Sequence, residues 1–380
     1  MKNKDARVLI ICPFTSPNQG GVESHIQKLV KFIGKKGRKV IISSYQPLTT
    51  PVKAAIYEHV ENYDIYRFPW FGNGIFPKIE HNPVLTFLYL VPGLFIQSLW
   101  LGITRNEEID VVHAHGFAAG LIAILLKPLM NKRIVMSTHA IYNFKNRPLL
   151  AKIIKFILDR CDFVLAVGEP SLEELVAIGI PRTKLAVHPN WVDTDFFKPV
   201  KRQKHNPTLL FTGRAFERKG LFVFGELAKL FPKTQFIARV SEGPDLTEFI
   251  KHFSKLKNLL IHDKLPTDFD EKFKLILTDY QASDIFLMPS QYAEGFAAVI
   301  TEAASTGLAI ISSNLGSLPS ILKNSGADLI DPTVEKFSKT IKNLLDDPKL
   351  LVRKQSEIRQ FALENFSDKN AEVIYNSYHL

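Results

Sequence analysis

The sequence predicts an α/β fold of two Rossmann-like domains facing across a cleft, and three observations carry that expectation. A chain of 380 residues exceeds what one ordinary core organises. Short β-branched runs alternate with helical patterns, as in a parallel sheet covered on both faces. The alternation stops at residues 198–207 (KPVKRQKHNP), a polar, basic, proline-bounded stretch, and then starts afresh. The boundaries read from this are 1–197 for the first domain, 198–207 for a linker and 208–365 for the second.

In the first series, Arg7–Cys12 reads as a buried strand and Val22–Ile33 as an amphipathic helix. Val40–Ser44, Ile109–Ala114, Ile134–Thr138, Phe163–Val167 and Leu185–His188 follow as strands. In the second, the strands are Leu209–Thr212, Gln235–Arg239, Leu259–Ile261, Ile285–Met288 and Ala309–Ser312. The expected site is the cleft between the two sheets, at strand carboxyl ends. Residues 84–103 (VLTFLYLVPGLFIQSLWLGI) are apolar for about the length that spans a bilayer. Pro92-Gly93 is read as interrupting them, and they lie between strands of one domain. A buried or surface-docking helical segment is therefore expected rather than a span.

The composition, 46% hydrophobic and 23% charged, is that of a soluble globular protein. Cys12 and Cys161 sit in apolar runs, which argues against a disulfide framework and fits a reducing compartment. The first residues lack the apolar run of a secretory signal, so a cytoplasmic protein is expected. Of the net charge of +10, residues 1–195 carry +7, from 23 Lys and Arg against 16 Asp and Glu. Lys28, Lys31, Lys35, Lys36, Arg38 and Lys39 follow one another without an acid between them. They read either as a solvated helix face or as a patch for anionic lipid. On a lipid surface each basic residue contributes roughly 1 kcal/mol. If residues 84–103 are exposed beside this basic helix, the pair would make a peripheral contact on the inner face of the cytoplasmic membrane. Zinc-finger spacing and aromatic-basic strand motifs are lacking, so no nucleic-acid partner is expected.

Gly20 and Gly21 follow the first strand and open a helix, where backbone can approach a phosphate. The spacing is not that of a dinucleotide fingerprint, and no cofactor is expected. Arg214 and Lys219 come just after the first strand of the second series, placed to clamp a diphosphate as it leaves. Glu294 and Glu302 stand too far apart to be neighbours on a helix, so they address different parts of one extended ligand. Glu302 sits in an Ala-rich segment that reads as buried, where a carboxylate needs a partner; a ribose diol is a suitable one. The amides of Phe296, Ala297, Ala298 and Val299 lie at a helix start and can face phosphate.

Taken in order and spacing, these pieces resemble the retaining glycosyltransferases of family 4, which have the two-domain GT-B fold. The likeness covers Gly20-Gly21-Val22-Glu23, Asp110 to His115, Ser137-Thr138-His139 and Pro189-Asn190-Trp191-Val192-Asp193. It continues through Gly213-Arg214, Lys219-Gly220 and the Glu294 to Glu302 pattern. The resemblance implies that Arg214 and Lys219 bind the donor diphosphate and Glu302 the ribose. It also implies that Glu294 contacts the sugar hydroxyls, with His139 beside the sugar at the reacting face. Gly20-Gly21 would close over the phosphates, and residues 366–380 would form a terminal helix returning to the first domain. Three positions depart from the family pattern: Ala297 and Trp191 replace glycines, and Ser320 stands where glutamate is common.

The expected donor is a UDP- or GDP-hexose and the expected acceptor a glycan or lipid-linked hydroxyl. Other enzymes on the fold, an epimerase or a phosphorylase, are the competing readings. So is a non-catalytic nucleotide-sugar-binding protein recruited to membrane. Asp193-Thr194-Asp195 spells a metal-binding triplet but sits where the chain enters the linker, and no metal is expected there. His113 and His115 are read as pointing to opposite faces of their strand, and so as unable to share an ion.

Overall fold

The computed structural model describes residues 7–18, 20–50, 52–72, 74–79, 82–188, 190–201, 206–266, 268–294 and 297–379. Its contacts divide the chain into one compact unit of residues 1–189 with 371–380 and a second of residues 190–370.

The first unit is built on eight strands: β1 (Arg7–Ile11), β2 (Lys39–Tyr45), β3 (Tyr57–Val60), β4 (Tyr63–Phe68), β5 (Ile109–His115), β6 (Arg133–Ser137), β7 (Phe163–Ala166) and β8 (Leu185–Val187). Their order is β3-β4-β2-β1-β5-β6-β7-β8, all parallel except β3, which pairs antiparallel with β4. The second unit carries β9 (Thr208–Arg214), β10 (Gln235–Ser241), β11 (Leu259–His262), β12 (Ile285–Met288), β13 (Ala309–Ser313) and β14 (Asp328–Ile330). Their order is β11-β10-β9-β12-β13-β14, parallel throughout. In each sheet the chain reverses its direction of winding beside the first strand, at β1/β5 and at β9/β12. Ligands of open α/β sheets bind outside the strand ends at such points.

The sheet of the first unit has two differently covered faces. Leu9, Ile11, Ile41, Val112 and Ala114 point into one core with the helices Pro83–Thr104, Phe117–Met130 and Pro148–Arg160. The alternate residues, Val8, Ile10, Val40 and His113, face the other way. On that side the Tyr378 hydroxyl reaches His113, and Phe32 of the helix Gly21–Lys35 meets Tyr375. The basic helix and the apolar helix therefore lie on opposite faces, so the condition for a joint membrane contact of the two, exposure side by side, is not met. Part of the basic run is also paired: Lys36 with Glu372 and Arg38 with Asp110 at 2.6 Å.

Pro83–Thr104 is one continuous helix through Pro92 and Gly93, so the expected interruption does not occur. Proline lacks the N–H that would hold the turn. Two residues on, the Tyr45 hydroxyl inserts into the ladder, accepting from Leu94 N at 2.7 Å and donating to Leu90 O at 2.9 Å. The absent side chain of Gly93 lets the helix lie against Phe68 and Trp70. This helix is long and apolar enough to cross a membrane, and it packs on the helix Phe117–Met130.

The segment expected as a linker falls inside the second unit, apart from residues 202–205, which lie outside the described residues. The physical reason is that the chain enters the second core early. Phe197 is buried there, and its carbonyl accepts from the Ser305 hydroxyl at 2.6 Å. Both cysteines are buried and free.

Candidate active site

At the β9/β12 reversal the second unit gathers four elements. β9 ends at Arg214, and a 3-10 turn, Glu217–Lys219, follows. The loop after β12 carries Ser290, Tyr292 and Glu294, and the helix Ala298–Ser305 leads away from it. Gly220 has φ +80°, and a Cβ there would meet the Pro289 carbonyl oxygen at 2.0 Å, so glycine lets the two loops touch. Gly316, φ +62°, likewise presses on the backbone of Glu294, whose carbonyl accepts from Ser317 N at 2.9 Å.

The centre of this arrangement is an ion pair between residues 75 positions apart. Lys219 Nζ donates to Glu294 Oε1 at 2.7 Å and Oε2 at 2.9 Å. Ser290 Oγ donates to Oε1 at 2.8 Å and the Tyr292 hydroxyl to Oε2 at 3.0 Å. The buried Glu294 carboxylate thus receives four hydrogen bonds, the full acceptor capacity of an ionised carboxylate. The expected contact of Glu294 with sugar hydroxyls would compete with these four bonds. Burial alone would lower the Lys219 pKa, but the neighbouring Glu294, aided by Tyr292, overrides it and holds the ammonium above the ordinary lysine value. The cation is permanent at physiological pH.

Arg214 is exposed, its guanidinium 4.7 Å from the centre of the Phe216 ring. Glu302 is buried, and its Oε2 accepts from the buried Tyr280 hydroxyl at 3.0 Å. Its need for a partner is thus met at least in part within the protein. Ala297 is the buried N-cap of the helix Ala298–Ser305, and no side chain caps it, which leaves the first-turn amides of Ala298 and Val299 at its open end. Phe296 and Gly295 lie outside the described residues, as do Gln19 and Pro189. Asp193 Oδ1 accepts from the amides of Asp195 and Phe196, so its carboxylate closes a turn.

At the corresponding edge of the first unit stand Gly20, Gly21 and His139. Gly20 is extended (φ 178°), and the space where a Gly21 Cβ would project is open. His139 follows β6 and belongs to a cluster that the sequence did not reveal. His25, in the second turn of Gly21–Lys35, lies 5.7 Å from His115, 5.2 Å from His139 and 5.3 Å from His188, between ring centres. His113 and His115 share one face, with ring centres 4.1 Å apart, which corrects the expectation of opposite faces. The reason is the strand period of two, which returns residues i and i+2 to the same side. That period is legible in the sequence and pairs them. His25 and His188 carry no signal of their own. Burial, then mutual repulsion among the rings, pushes His115, His139 and His188 well below the ordinary histidine value, and His113 to about 3. All four are neutral at physiological pH. Among the described residues, no group of three or more His, Cys, Asp or Glu side chains has a metal-holding arrangement.

Two reversing parallel sheets, with a cation and an uncapped helix start at one strand edge, define a GT-B glycosyltransferase scaffold. A model of glycosyltransferase family 4 matches residues 19–196 and one of glycosyl transferases group 1 matches residues 192–361; the chain belongs to this glycosyltransferase family. Over 383 residues it is 25% identical to a phosphatidylinositol N-acetylglucosaminyltransferase component from Arabidopsis thaliana, covering 97% of this chain and 81% of that one. It is 27% identical over 249 residues to an Escherichia coli UDP-Gal:alpha-D-GlcNAc-diphosphoundecaprenol alpha-1,3-galactosyltransferase, covering 58% and 62% of the two. Sucrose-phosphate synthase of Thermosynechococcus elongatus shares the fold, with a TM-score of 0.79 over 98% of both chains at 15% identity.

Proposed function

We propose that the chain is a retaining, metal-independent hexosyltransferase. It moves a sugar from a UDP- or GDP-hexose to a lipid-linked or glycan hydroxyl, in the synthesis of cell-envelope polysaccharide or glycolipid. The observation that carries this reading is the cation of Lys219, held on the buried carboxylate of Glu294, at the strand end that also carries the exposed guanidinium of Arg214.

In this reading the diphosphate lies against Arg214, Lys219 and the amides of Ala298 and Val299. Their fixed positive charge stabilises the diphosphate as it departs and does the work a metal ion does in other transferases. Lys219 needs no reorganisation, because Glu294, itself fixed by Ser290 and Tyr292, already holds it. Glu302, steadied by Tyr280, anchors the ribose. Glu294 serves first to place Lys219, and it reaches a sugar hydroxyl only by giving up one of its four hydrogen bonds. The family resemblance assigns Gly20 and Gly21 to the donor phosphates and His139 to the sugar. The acceptor oxygen bonds to the anomeric carbon as the carbon–phosphate-oxygen bond breaks, on the same face. The acceptor proton passes to the departing phosphate oxygen. A panel of UDP- and GDP-hexoses scored by thermal shift, then by release of free nucleotide, tests this; no nucleotide affinity in any member overturns it. Proton NMR of the product should give the donor's anomeric configuration, and the opposite anomer excludes retention.

A lipid-linked acceptor is favoured by the relatives, whose names specify phosphatidylinositol and diphosphoundecaprenol. The three helices on one face of the first unit offer a matching surface. Leu85, Leu88, Leu125, Leu149, Ile153 and Phe156 are exposed on them. Lys145, Arg147 and Lys152 are exposed at the start of the third. Exposed apolar groups beside cations suit the interface of an anionic bilayer, here placed at the cytoplasmic membrane's inner face. The expected result of vesicle flotation is binding to anionic liposomes, reduced about tenfold when Leu149, Ile153 and Phe156 are replaced by serine. Equal recovery of both proteins with the vesicles would exclude this surface.

A further inference from the structure

His115 and His139 meet in a way that fixes a proton. His115 Nδ1 lies 3.0 Å from His139 Nε2. The ring centres are 5.2 Å apart with planes only 18° from parallel. That separation is the nitrogen–nitrogen distance plus about one ring diameter, so the rings face edge to edge and share an in-plane N–H···N bond. One nitrogen donates and the other accepts, and the rest of the surroundings decides which. His115 is 3% exposed, and its second nitrogen, Nε2, is enclosed without a hydrogen-bond partner. A buried N–H without an acceptor loses its full solvation, whereas a lone pair in the same place is tolerated more readily. The proton of His115 therefore belongs on Nδ1, directed at His139.

We propose that His115 is a positioning residue: its Nδ1–H holds His139 as the Nδ1–H tautomer, with Nε2 accepting. His139 then offers a donor, not an acceptor, from its free nitrogen. Two features make the arrangement rigid. His115 is the last residue of β5, whereas His139 lies in the loop beyond β6, so the strand orients the loop. The His25 ring stands edge-on to His139 at 5.2 Å and limits its rotation. Burial keeps both rings neutral, so the shared proton is not swamped by a second one. Resting on the proposed function, in which His139 stands beside the transferred sugar, the chemical class recognised is an oxygen that accepts: a sugar hydroxyl oxygen or a phosphate oxygen.

The test uses the full chain labelled with 15N-histidine, with long-range proton–nitrogen spectra near neutral pH. His139 is assigned through His139→Gln. The expected pattern is the Nδ1–H tautomer for His139 in the unmodified protein; a predominant Nε2–H tautomer overturns the proposal without any further variant. His115→Leu should release His139 toward Nε2–H. His115→Asn, whose amide reaches the position of Nδ1 and can donate, should keep it. An unchanged His139 tautomer in a folded His115→Leu protein also overturns the proposal. With the UDP- and GDP-hexoses of the panel as probes, His115→Leu should lower kcat about tenfold at unchanged donor KM, with recovery in His115→Asn. A tautomer that moves while kcat stays constant leaves His115 as the positioning group but removes His139 from the sugar.

Discussion

Replacing Lys219 by alanine should reduce sugar transfer by about 10²–10³-fold, the scale of losing one preorganised electrostatic group at a developing charge. It should also destabilise the second unit by about 3 kcal/mol, because a buried carboxylate is left without its counter-ion. The two losses have different origins and can be separated. In Lys219→Ala/Glu294→Gln the buried charge is gone, so the melting temperature should recover most of the way while activity does not. Activity that returned with stability would mean that Lys219 is a structural residue and that Arg214 acts alone on the diphosphate. Arg214 offers the contrast. It is exposed and rests on the Phe216 ring, so its removal should weaken nucleotide binding with little change in melting temperature.

Acid should unfold the first unit well before it titrates most carboxylates. His113, His115 and His188 are buried, and the charges acting on each are those of neighbouring histidines. Their folded pKa values lie below the unfolded value near 6.5, so the unfolded chain binds more protons. Stability is then complete above about pH 6.5 and falls as the pH drops toward the folded values. His113, pushed down to about 3 by burial, alone accounts for a loss of roughly 2 kcal/mol at about pH 5. His115 and His188 act in the same direction, against a total stability that is typically about 5–15 kcal/mol. Thermal unfolding from about pH 7.5 to about pH 5 should show a steep fall in the transition of the first unit, made shallower by His188→Leu. A melting temperature that is flat between about pH 6.5 and 5 would contradict the burial of these rings.

Most of the strands, though not their order, were legible because the strands of a parallel sheet, buried on both faces, read as continuous apolar runs. β1, β5, β12 and β13 are of this kind. β3 (YEHV), the edge strand, and its neighbour β4 (YDIYRF) were not legible, because both mix charges into the strand pattern. β14 has only three residues and offers no period at all. In the second unit, Arg214, Lys219, Glu294 and Glu302 drew attention through strand ends and spacing. The bond between Lys219 and Glu294 did not, since a contact across 75 residues leaves no local pattern. The first-unit cluster was hidden for a related reason. His25 belongs to a helix, while His115, His139 and His188 come from three different strand ends, and only the assembled sheet with its helix brings them together.

The second unit is an insertion within the first, and this governs the order in which the molecule can be completed. Residues 190–370 begin and end side by side: Val192 N donates to Phe366 O at 2.9 Å, and Asn370 Nδ2 to Asn190 O at 3.2 Å. On a ribosome the first sheet is synthesised early, yet Tyr378, which satisfies His113, arrives only after the whole second unit has emerged. So does Ser377, whose carbonyl receives Arg133 Nε. The nascent first unit must wait with one nitrogen of His113 held by Ser137 and the other unpaired, and with one sheet face bare of the helix Lys369–Ser377, exposed to chaperones in the meantime. Vectorial synthesis therefore finishes the inserted unit first and its host last.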